Sequence, residues 1–473
     1  MTHYSEEDKI CHDCIGEEYL SKEIEKKGRR GKCVFCGRVT RTYTLILIVD
    51  RVEQVLLDHY QLTPIEPSDW EYYKQHADKE SDYVWYREGQ TVEEILLNEF
   101  DIREEASVEI ASMLEARHSD MDTWAIGEET EFDSGTHYEL KGISDERWVS
   151  EWERFGNILK TESRFFSEQV ANLLATIFDG LENLKTWDGQ HVLTNIGPTS
   201  EINSLYRARV FQSREKLLDA ISKPDILLGP PLPVFAMSGR MNARGIAVFY
   251  GATETSVALS EVRPPVGSKV AVGRFQILRT LKLLDLRKLN NIREWVSVFD
   301  PQYLEKMEKA VFLRHLAERL TTPVMPDDED FEYLNTQVIA DYLASRTDVN
   351  YDGIIYPSVQ VSGDKINVVL FHKAARVTPI HIPDGVRLQI DDTDYDEDGV
   401  YTSYQVVERI PKRKKKLAES TDSMLEDKRL LSLAVDLNDI SVHEIRSVQY
   451  EATVHSVTRS RYKETPIGKI EDF

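Results

Sequence analysis

Four cysteines, all within the first 36 residues, have the spacing of a metal site: Cys11 and Cys14, then 18 residues, then Cys33 and Cys36. Two C-x2-C pairs can bring four thiolates around one tetrahedral cation, and zinc is the metal such a set suits. Four sulfurs close the coordination shell, so this zinc is expected to fold the chain rather than react. His12, beside Cys11, is read as a bystander. A second group of residues gathers further along. Arg207 stands in "LYRARVF", Arg240 and Asn242 stand among glycines in "GRMNARG", Tyr250 closes "IAVFYG", and Glu261 follows eleven residues later among small residues. A carboxylate in such surroundings needs a partner or a ligand, because an unpaired buried charge is costly. Arginine forks suit the oxygens of a phosphate or a carboxylate.

Several familiar constellations are missing. The sequence has no G-x-x-x-x-G-K-[ST] loop, no G-x-S-x-G elbow and no H-E-x-x-H helix, which removes the main support for phosphate-loop, hydrolase-elbow and zincin chemistry. With every cysteine assigned to zinc, a thiol nucleophile is also not expected.

The elements that must position these residues follow from punctuation and periodicity. A chain of 473 residues with 41% hydrophobic and 30% charged residues has core material for several domains. No apolar run is long enough to span a bilayer, and the N-terminal residues lack the pattern of a secretory leader, so a cytoplasmic protein is expected. Net charge is −24, and residues 61–150 alone carry 24 Asp and Glu against 7 Lys and Arg. That segment should repel a phosphate backbone. Between the cysteine pairs, Lys22, Lys26, Lys27, Arg29, Arg30 and Lys32 make a basic tip that reads first as a solvated loop.

Residues 37–195 read as largely helical. "LIVDRVEQVLLDHYQL" has helical periodicity, Thr91 and Glu94 form a capping-box pattern, and residues 144–181 make one long amphipathic helix or two. Their Trp148, Trp152, Phe155 and Leu159 stripe is expected to be core. After "NIGPTS" the pattern becomes α+β: strands at 205–211, 246–251, 269–277, 280–286, 353–358 and 366–371, with helices near 302–319 and 334–346. The acidic stretch 391–399 and the basic run Lys412 to Lys416 read as solvated linkers, and 442–457 as a last strand-like stretch.

"LYRARVF", "GRMNARGIAVFYGATETSVALSEVRP" and "DGIIYPSVQVSGDKINVVLF", in that order over residues 200–375, resemble the RES domain, a bacterial family named for an Arg, a Glu and a Ser. The resemblance puts these on Arg207, Glu261 and Ser358, the family's G-R-x-N turn on Gly239, Arg240 and Asn242, and its strand-end Tyr on Tyr250. Met241 departs from the aromatic residue many members carry. The resemblance implies an ADP-ribosyltransferase-like fold that consumes NAD+, with Glu261, Arg207, Tyr250 and Ser358 as catalytic residues. Arg207, Arg240, Asn242, Tyr250 and Glu261 would hold the dinucleotide. It further implies a bacterial toxin or phage-defence role, restrained by an antitoxin-like partner, with room for a homo-oligomer.

The upstream half resembles the HEPN-like extension of some RES proteins. The R-x4-6-H spacing of HEPN nucleases is absent, since Arg51 and His59 have seven residues between them and Arg117 abuts His118. The expected organisation is therefore a zinc ribbon (1–40), a mainly α-helical domain (41–195), an α+β catalytic domain (200–380) and a charged extension (381–473). The leading expectation is an NAD+ glycohydrolase or phosphorylase. Alternatives are ADP-ribosyl transfer to a macromolecule, and an inactive zinc-dependent sensor of nucleic acid, which the acidic helices disfavour.

Overall fold

The computed structural model describes residues 5–76, 84–119, 129–164, 166–294, 296–383, 385–397, 399–410, 427–449, 452–459 and 461. The chain divides into two compact units, each assembled from three stretches: Met1–Asn195, Met237–Gly245 and Lys282–Val359 form one, and Ile196–Ala236, Ile246–Leu281 and Gln360–Phe473 the other. Among the described residues no helix is long and apolar enough to cross a membrane.

In the first unit a three-stranded antiparallel sheet, Lys9–Cys11, Val39–Thr44 and Arg29–Lys32 with Val39–Thr44 central, carries the cysteines. It packs on the helix Glu18–Lys27 and runs straight into the helix Leu45–His59, whose Ile48, Val49, Val52, Val55 and Leu56 are buried. Cys11, Cys14 and Cys33 share one core with these residues and with Ile95, Leu96 and Ile110. The ribbon is therefore not a separate bead. The capping box is present: Thr91 accepts from the Glu94 N–H, and Glu94 accepts from the Thr91 N–H, which closes two orphan donors of the helix Val92–Asn98.

Residues 144–181 break into two helices, Glu146–Thr161 and Glu168–Phe178, and the aromatic stripe is buried as expected. Short strands interrupt the expected helical run, since Tyr60–Leu62, His137–Leu140 and Gln90–Thr91 pair antiparallel. Two long helices, Tyr303–Thr321 and Glu329–Ser345, and a parallel strand pair, Leu281–Asp285 with Gly353–Pro357, come from the later stretch.

The second unit is built on five antiparallel strands in the order Leu433–Glu444, Lys269–Ile277, Ser204–Phe211, Phe249–Ala252, Ile366–Leu370. The helix Thr255–Glu261 lays Val257 and Ala258 on one face, against Ala208, Ala252, Val270 and Val272. Two expectations are corrected here. The acidic stretch is not a linker: Arg387–Asp396 and Gly399–Arg409 form a hairpin, because alternating Thr, Tyr and Val residues give it strand character around a turn. The last strand is Leu433–Glu444, earlier than 442–457, where it completes the edge of the sheet beside Lys269–Ile277. The basic run Lys412, Arg413, Lys414, Lys415 and Lys416 lies outside the described residues.

Candidate active site

The strand register decides what the second unit can bring together. Asn367 lies opposite Ala252, Ala252 opposite Tyr206, and Tyr206 opposite Arg274, so these side chains share one face of the sheet, and alternation puts Tyr250 on it too. The helix Thr255–Glu261 covers this face and is clamped at both ends. Lys365 Nζ reaches both oxygens of Glu254 at 2.7 Å, and Asn367 Nδ2 donates to Glu261 Oε1 at 2.7 Å. Asn367 is 2% exposed, so its amide fixes the direction of the Glu261 carboxylate from below. Asn367 was passed over in the sequence; a lone amide inside the apolar run "INVVLF" was the available signal.

Arg207 belongs to the opposite face. It lies opposite Gly273, and its guanidinium stacks 5.1 Å from the Phe249 ring centroid. The described ladder between the Arg207 and Tyr250 strands consists of the Ala252–Tyr206 pair, and beyond it Arg207 Nη1 takes the Tyr250 carbonyl at 3.2 Å. The guanidinium tip thus bonds the backbone of the neighbouring strand beyond that pair.

Among the described residues no carboxylate pairs with Arg207. Burial, helped by Arg209 and opposed by Tyr250, pushes its guanidinium down to about 9. The group stays cationic at neutral pH, and an incoming anion would relieve the cost of holding it there. Tyr250 is the second residue of the strand Phe249–Ala252 rather than its last, because pairing begins only at Phe249 opposite Leu370.

In the first unit Arg240 and Asn242 are occupied with structure. Arg240 Nη1 and Nη2 donate to the carbonyls of Leu320 and Thr322 at 2.9 and 2.8 Å, and its guanidinium lies over the Tyr333 ring. A cation there satisfies the last carbonyls of the helix Tyr303–Thr321 and complements its dipole. Asn242 is 4% exposed and donates to the carbonyls of Met237 and Ala243, while Gly239 and Asn242 bridge through their backbones. Met241 is buried. Ser358 is buried directly after the strand Gly353–Pro357. We expect Arg240→Gln to cost about 1–2 kcal/mol of stability, read from urea unfolding, with KM for substrate changed less than twofold. A raised KM at unchanged stability would instead place Arg240 on the ligand.

The cysteines converge in the same unit. The Sγ atoms of Cys11, Cys14, Cys33 and Cys36 all lie within 4.8 Å of one another, with contacts of 3.5, 3.7 and 3.8 Å. A tetrahedral Zn²⁺ with bonds of about 2.3 Å spaces its sulfurs about 3.8 Å apart, so the set is shaped for the ion. Gly37, at φ +72°, makes the knuckle turn between Cys36 and Arg38. With no cation, burial pushes the Cys11 thiol up to about 11 and raises Cys14 likewise; a dication would deprotonate both. His12 stays outside the cluster, against Thr40 and Asp13.

Residues 205–391 match the RES domain. The chain carries a RES domain. No curated protein and no solved structure matches the chain. The match begins at the strand that holds Arg207 and ends within the hairpin, so it includes Arg207, Glu261 and Asn367. A RES domain is consistent with an NAD-related, toxin-like enzyme, and the four-cysteine cluster could hold zinc.

Proposed function

We propose that the RES domain of this chain consumes NAD+, cleaving the bond between nicotinamide and ribose beside Glu261. The observation that carries the reading is the carboxylate of Glu261, fixed by the buried Asn367 amide on the sheet that also holds an unneutralised Arg207. Departure of nicotinamide leaves an oxocarbenium-like ribose. A preoriented carboxylate stabilises that developing charge and accepts a ribose hydroxyl. Arg207 takes the pyrophosphate, replacing the counter-charge it lacks. Tyr250 stacks on nicotinamide and helps exclude water, and Ser358 orients a hydroxyl. Arg240 and Asn242 act through the turn they hold. The zinc is structural.

In this reading the α+β part is an ADP-ribosyltransferase-like domain spanning 200–380, preceded by a ribbon (1–40) and a HEPN-like helical domain (41–195), with an extension from 381. The protein would act in the cytoplasm as a growth-arresting toxin restrained by a partner.

Purified protein should release nicotinamide from NAD+, read by chromatography with and without phosphate. Products confined to small molecules point to water or phosphate as acceptor, and labelled ADP-ribose on a macromolecule points to transfer. Intact NAD+ after incubation with folded, partner-free protein sinks the proposal. Arg207→Met should raise KM for NAD+ by at least about tenfold without lowering the melting temperature, because a buried cation is exchanged for an apolar side chain of similar length. A stability loss with unchanged KM would show Arg207 to be purely structural.

A further inference from the structure

The hairpin Arg387–Asp396 and Gly399–Arg409 pairs only with itself among the described residues. A two-stranded ribbon is marginal in water and leaves both outer edges open. It is anchored at its middle, where Asp392 pairs with Arg214 and Tyr404 accepts from Lys269. The tip stands in solvent, with Tyr395 74% and Val400 65% exposed.

The charges are unevenly spread along the ribbon, with Arg387, Arg409 and one acid, Glu408, at the root. At the root Arg387 lies directly opposite Arg409, a like-charge pair that is unfavourable on its own, and neither guanidinium has an ion pair among the described residues. Towards the tip come Asp394, whose carboxylate accepts from Tyr401 and Gln405, and Glu397 in the turn. Basic root and acidic tip are complementary only when the ribbon meets another in the opposite direction.

We infer that this hairpin is a self-association arm, and that two copies of the chain pair their Gly399–Arg409 edges antiparallel about a two-fold axis. With the axis at Tyr404, Val407 of one copy lies beside Tyr401 of the other, and Arg409 reaches the other copy's acidic turn. Two two-stranded ribbons become one four-stranded sheet, and each surface serves twice, as an isologous contact requires. The proposal is independent of what the RES domain does with NAD+.

The full chain should sediment as a dimer in analytical ultracentrifugation. Arg387→Glu with Arg409→Glu makes the arm acidic at both ends, and Asp394→Arg with Glu397→Arg makes it basic at both ends. Either double variant should weaken association by roughly a hundredfold. An equimolar mixture of the two should restore a dimer containing one of each, since each acidic end then meets a basic one. A wild-type chain that is monomeric at every concentration, variants that stay dimeric, or a mixture that stays monomeric would each overturn the inference.

Discussion

Glu261→Gln should lower NAD+ turnover by about 10³-fold while leaving the melting temperature unchanged. The loss is the size expected when a preoriented charge that acts on the transition state is removed. The side chain keeps its volume and can still accept from Asn367 through its amide oxygen, so the clamp on the helix Thr255–Glu261 survives. The loss should appear in kcat more than in KM, because the ribose carries its positive charge only on the way to the oxocarbenium ion. Asn367→Ala supplies the comparison. It leaves the carboxylate in place without the Asn367 hydrogen bond, and should cost about tenfold in kcat. Measured nicotinamide release at wild-type rate from Glu261→Gln would remove Glu261 from the chemistry.

The second large effect concerns the cysteines. The protein should contain one zinc per chain, and stripping it with a chelator, or Cys14→Ser, should unfold the N-terminal sheet and the helix behind it. Apparent binding free energies of structural zinc are on the order of 10 kcal/mol and amount to folding free energy. That exceeds what a three-stranded sheet and a ten-residue helix can recover alone. Because Cys11, Cys14 and Cys33 share their core with Ile48, Val52 and Ile95, the damage should travel into the helices Leu45–His59 and Val92–Asn98. Hydrogen exchange reports this directly, as loss of amide protection over residues 9–59. Chelator-treated, metal-free protein with full protection there would refute a structural zinc.

Local signals carried much of the fold. Thr91 and Glu94 announced a helix start because a capping box is written in two residues, and Lys269–Ile277 was legible as a strand from its apolar run. The knuckle spacing of the cysteines was readable for the same reason. What eluded sequence reading was non-local. Arg240 could not be assigned to the end of the helix Tyr303–Thr321, because that helix lies some 80 residues away in sequence. Asn367 acquires its meaning only from the register that sets it beneath Glu261. Arg117 and His118, set aside for lack of nuclease spacing, turn out to be held by Asp50 and Glu53. The acidic stretch misled because charge outweighed alternation at 391–399, where Thr393 and Tyr395 were the true signal.

The strand Leu433–Glu444 completes the sheet beside Lys269–Ile277, more than 150 residues later in the chain. During synthesis its place stands empty while about 160 further residues are made, an interval of roughly 8–30 s at ordinary elongation rates. Over that time the nascent chain presents the open edge of Val270, Val272 and Phe275 to its surroundings. The sheet that holds Glu261 and Arg207 therefore gains its edge strand only once residue 444 has left the ribosome.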